Sequence, residues 1–361
     1  MKKKILFMIH SLDVGGAERI LLNYIKNISL ENKYDISVLT IKKSNSFIYD
    51  EINSIADIFS VDSYLENKIL LKSIAKTFYI KKIINQNDVI IDFLDGDFYK
   101  YTKSCKTNKV VWLHYSYEAL SLRKKNLKQK LSSYHHIVTI CHTMTKELLD
   151  REPLLAGRVS HIYNPFLFDS IDHQSIDLSS LTNQEKDIID SPYLLTVCRL
   201  DESQKDLSTL IKAYCHAKRN NTPLAPLVIV GDGPDAFFLK EMVADLQLQN
   251  DIHFIGMKSN PYVWMKNAQA FILSSKGEGL PTVLIEALYL GCNVISSNCK
   301  VGPSEILDNG RLGYLFEVGN VEELATLLGN IKKKTFDIEN EINIYRPETT
   351  INKFNKLIES I

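Results

Sequence analysis

The sequence predicts an α/β protein of two doubly wound domains in series, each a parallel sheet covered by helices on both faces. Three observations carry this. The chain has 361 residues, about twice the length of one ordinary domain. Short, nearly continuous apolar segments alternate with longer helical patterns from end to end, and strands apolar on both faces belong to parallel sheets with crossover helices. The composition also changes near the middle. Residues 1–170 hold 25 Lys and Arg against 18 Asp and Glu, a net of +7, whereas residues 171–361 hold 18 and 25, a net of −7. One of the 10 prolines, Pro153, precedes Pro165, and eleven of the 15 glycines lie at or beyond Gly231.

In the first half the strand segments are 4–10, 35–41, 88–93, 110–114, 136–140 and 159–163. In the second they are 193–199, 227–230, 253–256, 270–274, 293–296 and 313–316. The polar stretch 171–191, with Asp172, Asp177, Asn183, Asp187 and Asp190, reads as a linker with room for a short helix and stops at Pro192. The expected division is therefore a first domain over 1–170, a linker over 171–191, a second domain over 192–345, and a C-terminal helix over 346–361 that can pack back on the first domain.

Apolar residues at 45% and charged residues at 24% exclude a disordered chain, a collagen and a disulfide scaffold. The longest apolar run, residues 5–9, is far short of the roughly 20 residues of a membrane span. Lys2, Lys3 and Lys4 before it imitate a signal peptide, but Ser11 and Asp13 follow too soon. A cytoplasmic location is expected. The six cysteines form no C-x-x-C pair and read as reduced thiols, and no Cys/His spacing suggests structural zinc.

Ligands of doubly wound sheets bind beyond the C-terminal strand ends, so the residues there carry the functional reading. The first strand runs into Gly15 and Gly16 and then a helical pattern at Ile20, Leu21, Tyr24 and Ile25. Paired glycines opening a helix admit a phosphate to free N–H groups, although a tight turn needs the same residues. Asp95-Gly96-Asp97 could hold a divalent metal, or be a turn built around its glycine. His114 ends a strand. Arg199 ends another, and Lys205 follows six residues later; two such cations suit a diphosphate, and either alone reads equally well as a surface or salt-bridged residue. Gly231-Asp-Gly233-Pro-Asp-Ala236 touches a dinucleotide fingerprint, with Asp251 near the distance of a ribose-binding acid.

The segment from Gly277 to Leu288 is the most informative. Glu278 lies between two glycines, Pro281 marks a helix start, and Glu286 falls about one turn into that helix. A carboxylate there accepts hydrogen bonds from vicinal sugar or ribose hydroxyls. Solvated loop and helix glutamates are the alternative.

Together these segments resemble glycosyltransferase family 4, the retaining enzymes of GT-B fold. The residues that carry the resemblance are GGAER at 15–19, His114, Arg199 with Lys205, VGDGP at 230–234, FIG at 254–256, EGLPTVLIEAL at 278–288 and GPSEIL at 302–307. It is strong over residues 5–27 and 193–325 and weak over 44–108 and 115–160. It implies two Rossmann-like domains facing a central cleft and a nucleotide sugar as donor. Glu286 would hold the ribose, and Glu278 the transferred sugar. Arg199 and Lys205 would hold the diphosphate, helped by N–H groups near Gly15, Gly16 and Thr282–Val283, and Gly279, Leu280 and Pro281 would also line the donor. Gly256, Met257 and Lys258 would lie near the base, and His114 by the reacting sugar. His114, Glu278, Arg199 and Lys205 would be the catalytic set. No metal and no cofactor is expected.

The resemblance further implies a hexosyltransferase that moves a hexose or N-acetylhexosamine, UDP-linked, to a glycan acceptor, lipid-linked in many members. Bacterial surface polysaccharide, lipopolysaccharide or glycoprotein glycan would be the product. The alternatives are an inactive sugar-nucleotide-binding partner subunit and a sugar-nucleotide epimerase on the same fold. No nucleic-acid partner is expected. Arg123, Lys124, Lys125, Lys128 and Lys130, with Leu120, Leu122, Leu127 and Leu131, form a basic helical stretch suited to anionic lipid on the cytoplasmic face of the inner membrane.

Overall fold

A computed structural model describes residues 2–13, 15–66, 72–220 and 222–361. Val14, inside the glycine loop of the first motif, lies outside the described residues. The chain forms two compact units, Met1–Leu167 with Asn343–Ile361, and Phe168–Ile342. The stretch 171–191 carries helical residues of Phe168–Ser175 and the helix Asn183–Ile189 and counts with the second unit.

The first unit is built on seven parallel strands: β1 (Lys3–Ile9), β2 (Tyr34–Thr40), β3 (Asp57–Ser60), β4 (Val89–Asp92), β5 (Asn108–Leu113), β6 (His136–Thr139) and β7 (Val159–His161). Their order is β3-β2-β1-β4-β5-β6-β7, so the chain reverses its direction of travel across the sheet between β1 and β4. Residues 5–9 of β1 are wholly buried because helices cover both faces. Phe7, Tyr24, Phe93, Trp112 and Phe354 pack ring against ring under the sheet centre, with neighbouring centroids 5.3–6.2 Å apart. Phe354 comes from the C-terminal helix Pro347–Ser360, which is thereby part of this unit's core.

The second unit has six parallel strands: β8 (Leu194–Val197), β9 (Leu227–Val230), β10 (Ile252–Gly256), β11 (Ala270–Leu273), β12 (Asn293–Ser297) and β13 (Tyr314–Phe316). The order β10-β9-β8-β11-β12-β13 places the reversal between β8 and β11. Only Leu194 with Ala270 and Leu195 with Phe271 are in register across that junction, and the two strand ends then part. A doubly wound sheet offers its ligand crevice at such a reversal.

All twelve strand segments read from the sequence are present. The strand the sequence does not announce is β3, an edge strand with Asp57 exposed and its other residues half-buried, so it carries no apolar run. The basic stretch is not one helix. It breaks into Tyr117–Arg123 and Leu127–Ser132 at Asn126, whose φ is +57°. All six cysteines are free, and no helix among the described residues is long and apolar enough to cross a membrane.

Candidate active site

In the second unit the loop after β8 meets the loop after β11. Lys205 Nζ donates to Glu278 Oε1 at 2.6 Å, and Ser275 Oγ donates to the same oxygen at 2.6 Å. The pair is largely sheltered, with side chains 17% and 8% exposed. Backbone contacts lock the two loops together. Ser274 Oγ donates to the Lys205 carbonyl at 2.9 Å, the Lys276 N–H to the Gln204 carbonyl at 2.8 Å, and Lys276 Nζ to the Glu202 carbonyl at 2.8 Å. Ser297, ending β12, donates to the Ser275 carbonyl at 2.6 Å. A cation and a carboxylate are thus fixed at the sheet's reversal point.

The glycine motifs explain themselves as packing. A Cβ on Gly231, whose φ is +142°, would run into the Cys198 carbonyl, and one on Gly233 into the Leu200 carbonyl. The VGDGP turn therefore lies flat against the segment that carries Arg199. Gly302, with φ +96°, sits against the Gly279 carbonyl and the Pro281 ring in the same way, under the loop that carries Glu278. The dinucleotide reading of 231–236 does not survive. Asp251 precedes β10, at the opposite end of the sheet from Gly231, and pairs with Lys218.

Arg199 reaches into solvent, its side chain 70% exposed and 3.8 Å from Asp201. Thr282 and Val283 open the helix Thr282–Tyr289 behind Leu280 and Pro281. Glu286, in the same helix, is buried, with the Tyr262 hydroxyl donating to it at 3.4 Å. Gly256 ends β10 with φ +74°, and Met257 beside it is 70% exposed. Lys258 is turned to Glu185, whose carboxylate also closes the capping box at Thr182.

In the first unit the helix Gly16–Leu30 starts at Gly15, and a Cβ there would strike the Glu18 carboxylate. The acidic side chain folds back over the helix start, and burial raises its pKa. His114 follows β5. Its ring meets the Phe93 ring edge-on at 4.8 Å and donates to the Phe93 carbonyl, while Nε2 is buried without a protein partner. Burial pushes this imidazole down to about 4, so it is neutral at ordinary pH.

One sequence reading is corrected here. Lys124 is not a surface cation. Its ammonium donates to the Asp95 carbonyl at 2.8 Å and to Asp97 Oδ1 at 2.6 Å, with the side chain 16% exposed. The Asp95-Gly96-Asp97 triplet is a turn with an ammonium at it, and among the described residues no three of His, Cys, Asp and Glu gather as metal ligands would. Of the other cations in that stretch, Arg123 lies over the Tyr115 ring at 4.8 Å and Lys128 pairs with Glu152 at 2.8 Å, while Lys125 is exposed and Lys130 half-exposed. Sequence reasoning missed Ser274, Ser275, Ser297 and Lys276. The available signal was the serine pair just past β11, Ser275 lying three residues before Glu278, with Ser297 at the end of the neighbouring strand.

Residues 181–343, nearly all of the second unit, match the family model described as Glycosyl transferases group 1. An uncharacterized glycosyltransferase of Methanocaldococcus jannaschii is 34% identical over 176 residues, 48% of this chain and 42% of that one. The Campylobacter jejuni N-acetylgalactosamine-N,N'-diacetylbacillosaminyl-diphospho-undecaprenol 4-alpha-N-acetylgalactosaminyltransferase is 23% identical over 88% of this chain and 87% of its own. Among solved structures, Anabaena HepE in complex with UDP-glucose superposes with a TM-score of 0.80 at 19% identity, over 99% of this chain and 100% of that one. The chain has the two-domain GT-B fold, and its second unit carries the match to the glycosyl transferases group 1 model.

Proposed function

We propose that the protein moves a hexose or N-acetylhexosamine from a UDP-sugar to a lipid-linked glycan acceptor, with retention, in the assembly of a bacterial surface polysaccharide, lipopolysaccharide or glycoprotein glycan. The observation that carries this is the Lys205–Glu278–Ser275 contact at the reversal point of the second sheet. UDP-glucose on the Anabaena structure and the diphospho-undecaprenol and alpha linkage in the Campylobacter name support the donor, acceptor and stereochemistry.

In this reading Lys205 and Arg199 neutralise the diphosphate as the bond from its oxygen to the anomeric carbon breaks. Glu278 lies against the sugar, where positive charge develops at that carbon. The acceptor oxygen bonds to the same face and its proton passes to the departing phosphate oxygen. Glu286 grips the ribose, and the 256–258 segment takes the base. The bare Nε2 of His114 accepts a hydroxyl of a sugar substrate. The exposed cations Arg123 and Lys125, with Lys130 and the exposed Leu122 and Leu154, rest on anionic lipid on the cytoplasmic side of the membrane.

The test is UDP release from a panel of nucleotide sugars, then an acceptor screen with the best donor. Release that needs both donor and acceptor is expected, and it persists in EDTA because Lys205 and Arg199 supply the positive charge. Binding of donor without transfer to any acceptor would favour a non-catalytic partner subunit, and an isomerised free nucleotide sugar would favour an epimerase. Loss of activity in EDTA that Mg²⁺ or Mn²⁺ restores would overturn the metal-free reading.

A further inference from the structure

The ends of β4 and β5 are clamped to one another by one residue, Asp95, through its carboxylate and its backbone N–H. Asp95, just past β4, is buried with φ +54°. Its Oδ1 accepts the His114 N–H at 2.7 Å and the Tyr115 N–H at 3.3 Å, and its own N–H donates to the Trp112 carbonyl at 3.0 Å. From the other side Lys124 donates to the Asp95 carbonyl and to Asp97, so the turn is held at its backbone and at its acidic tip. The ring that leaves this clamp is the His114 imidazole. With one nitrogen donating to the Phe93 carbonyl, its Nε2 is a bare acceptor.

We propose that Asp95, backed by Lys124, is a positioning residue that fixes the His114 imidazole as a hydrogen-bond acceptor for a substrate hydroxyl. The proposal rests on the role of His114 given above. An acceptor lone pair must point along one line to receive a hydroxyl, and the backbone of the residue that carries it sets that line. Asp95 holds that backbone on both sides of the Cα that carries the ring, at the His114 N–H and at the Tyr115 N–H. The charges facing it are Lys124 and Asp97. Burial lifts the Asp95 carboxyl to about 6, and the His114 and Tyr115 N–H groups and Lys124 pull against that rise. Asp95 is therefore mostly a carboxylate at neutral pH, as an acceptor of two N–H groups should be.

The experiment uses the full chain with ¹⁵N-histidine, the His114 signals being assigned by their loss in His114→Gln. Wild-type protein should show one neutral tautomer, protonated at Nδ1, from about pH 5 to 8. Asp95→Gly removes the carboxylate and suits the left-handed backbone. It should give mixed tautomers and a kcat lower by about 10²-fold, with UDP affinity within about twofold of wild type. Asp95→Asn keeps an acceptor oxygen and should recover most of the turnover and the single tautomer. A wild-type tautomer and wild-type kcat in Asp95→Gly, beside an impaired His114→Gln, would overturn the proposal. Normal turnover by His114→Gln would instead remove the role given to His114, and the tautomer in Asp95→Gly would still decide whether Asp95 positions the ring. If Asp95→Gly does not fold, Lys124→Met carries the same readout, with an unchanged tautomer counting against the proposal.

Discussion

Lys205 and Glu278 are 73 positions apart in sequence and 2.6 Å apart in space, where they form an ion pair. The pair lets a strong cation and a strong anion sit at the sheet's reversal point without stranding either one there. It also sets the order of events expected on donor binding. Under the proposed function a diphosphate would compete with Glu278 for Lys205 and leave the displaced carboxylate beside the sugar.

Three variants separate these roles. Lys205→Met removes the cation and should weaken UDP binding by about 10- to 150-fold, the equivalent of roughly 1.5–3 kcal/mol for a charged hydrogen bond. UDP lacks the sugar, so Glu278→Gln should bind it at least as well as wild type, with Lys205 released, yet turn over about 10²–10³-fold more slowly. Glu286→Gln should show the opposite pattern, with weak UDP binding and a raised KM, because a grip on the ribose acts alike in ground and transition states. Calorimetry with UDP beside steady-state turnover reads all three. Wild-type turnover in Glu278→Gln would mean that the motif has been misread.

Gly302 is expected to act on the site from outside it. Its φ of +96° and its contact with the Gly279 carbonyl and the Pro281 ring leave no room for a methyl group. Gly302→Ala should destabilise the protein by about 1–3 kcal/mol and displace the loop that carries Glu278. A lower melting temperature with UDP affinity reduced in the folded protein is the expected result. Wild-type values for both would show that the loop has slack the packing does not suggest.

The central strands were legible in the sequence because they are buried on both faces and so read as apolar runs; β3 was not, because an edge strand with Asp57 exposed has no such run. Glu278, Lys205 and Arg199 were legible as residue types at strand ends. The bond between Lys205 and Glu278 was not, since it depends on β8 and β11 being neighbours, which local pattern does not encode. Lys124 shows the limit most plainly. In sequence it is one of five cations in a polar run. In space it turns inward, 27 to 29 positions away, to an acidic turn that the same reading treated separately.

That inward turn changes how a membrane contact should be tested. Reversing Lys124 would disrupt the Asp95 turn rather than a surface charge. Lys125→Glu with Lys130→Glu leaves the turn intact and removes one exposed and one half-exposed cation, while Leu122→Ser removes an apolar side chain 85% exposed. The double reversal should weaken binding to vesicles rich in anionic phospholipid, and salt should weaken the wild type in the same way, since the screening length falls from about 10 Å at 0.1 M to about 3 Å at 1 M. Leu122→Ser should lower the binding that persists in high salt. Parent-like vesicle binding by the double reversal at low salt would remove this surface from the membrane contact.

The buried carboxyl of Asp92 makes the first unit's stability depend on pH. It ends β4, accepts the Tyr134 hydroxyl at 2.6 Å and the Phe98 N–H at 2.9 Å through Oδ2, and has no partner at Oδ1. Burial raises its pKa to about 7, against the pull of Tyr134 and the Phe98 N–H. A folded-state pKa above the unfolded one means that the protonated form is favoured by folding. The stability it contributes is complete below about pH 4 and is lost as pH rises through about 7. Asp92→Asn keeps an acceptor for both donors but cannot ionise. Its stability relative to wild type should therefore increase between pH 5 and pH 8.5, by an amount on the order of 2–3 kcal/mol for a fully buried group. Urea unfolding of both proteins at the two pH values reads the difference directly. A gap between them that stays constant with pH would mean that Asp92 is already ionised at pH 5, held so by Tyr134 and the Phe98 N–H against its burial.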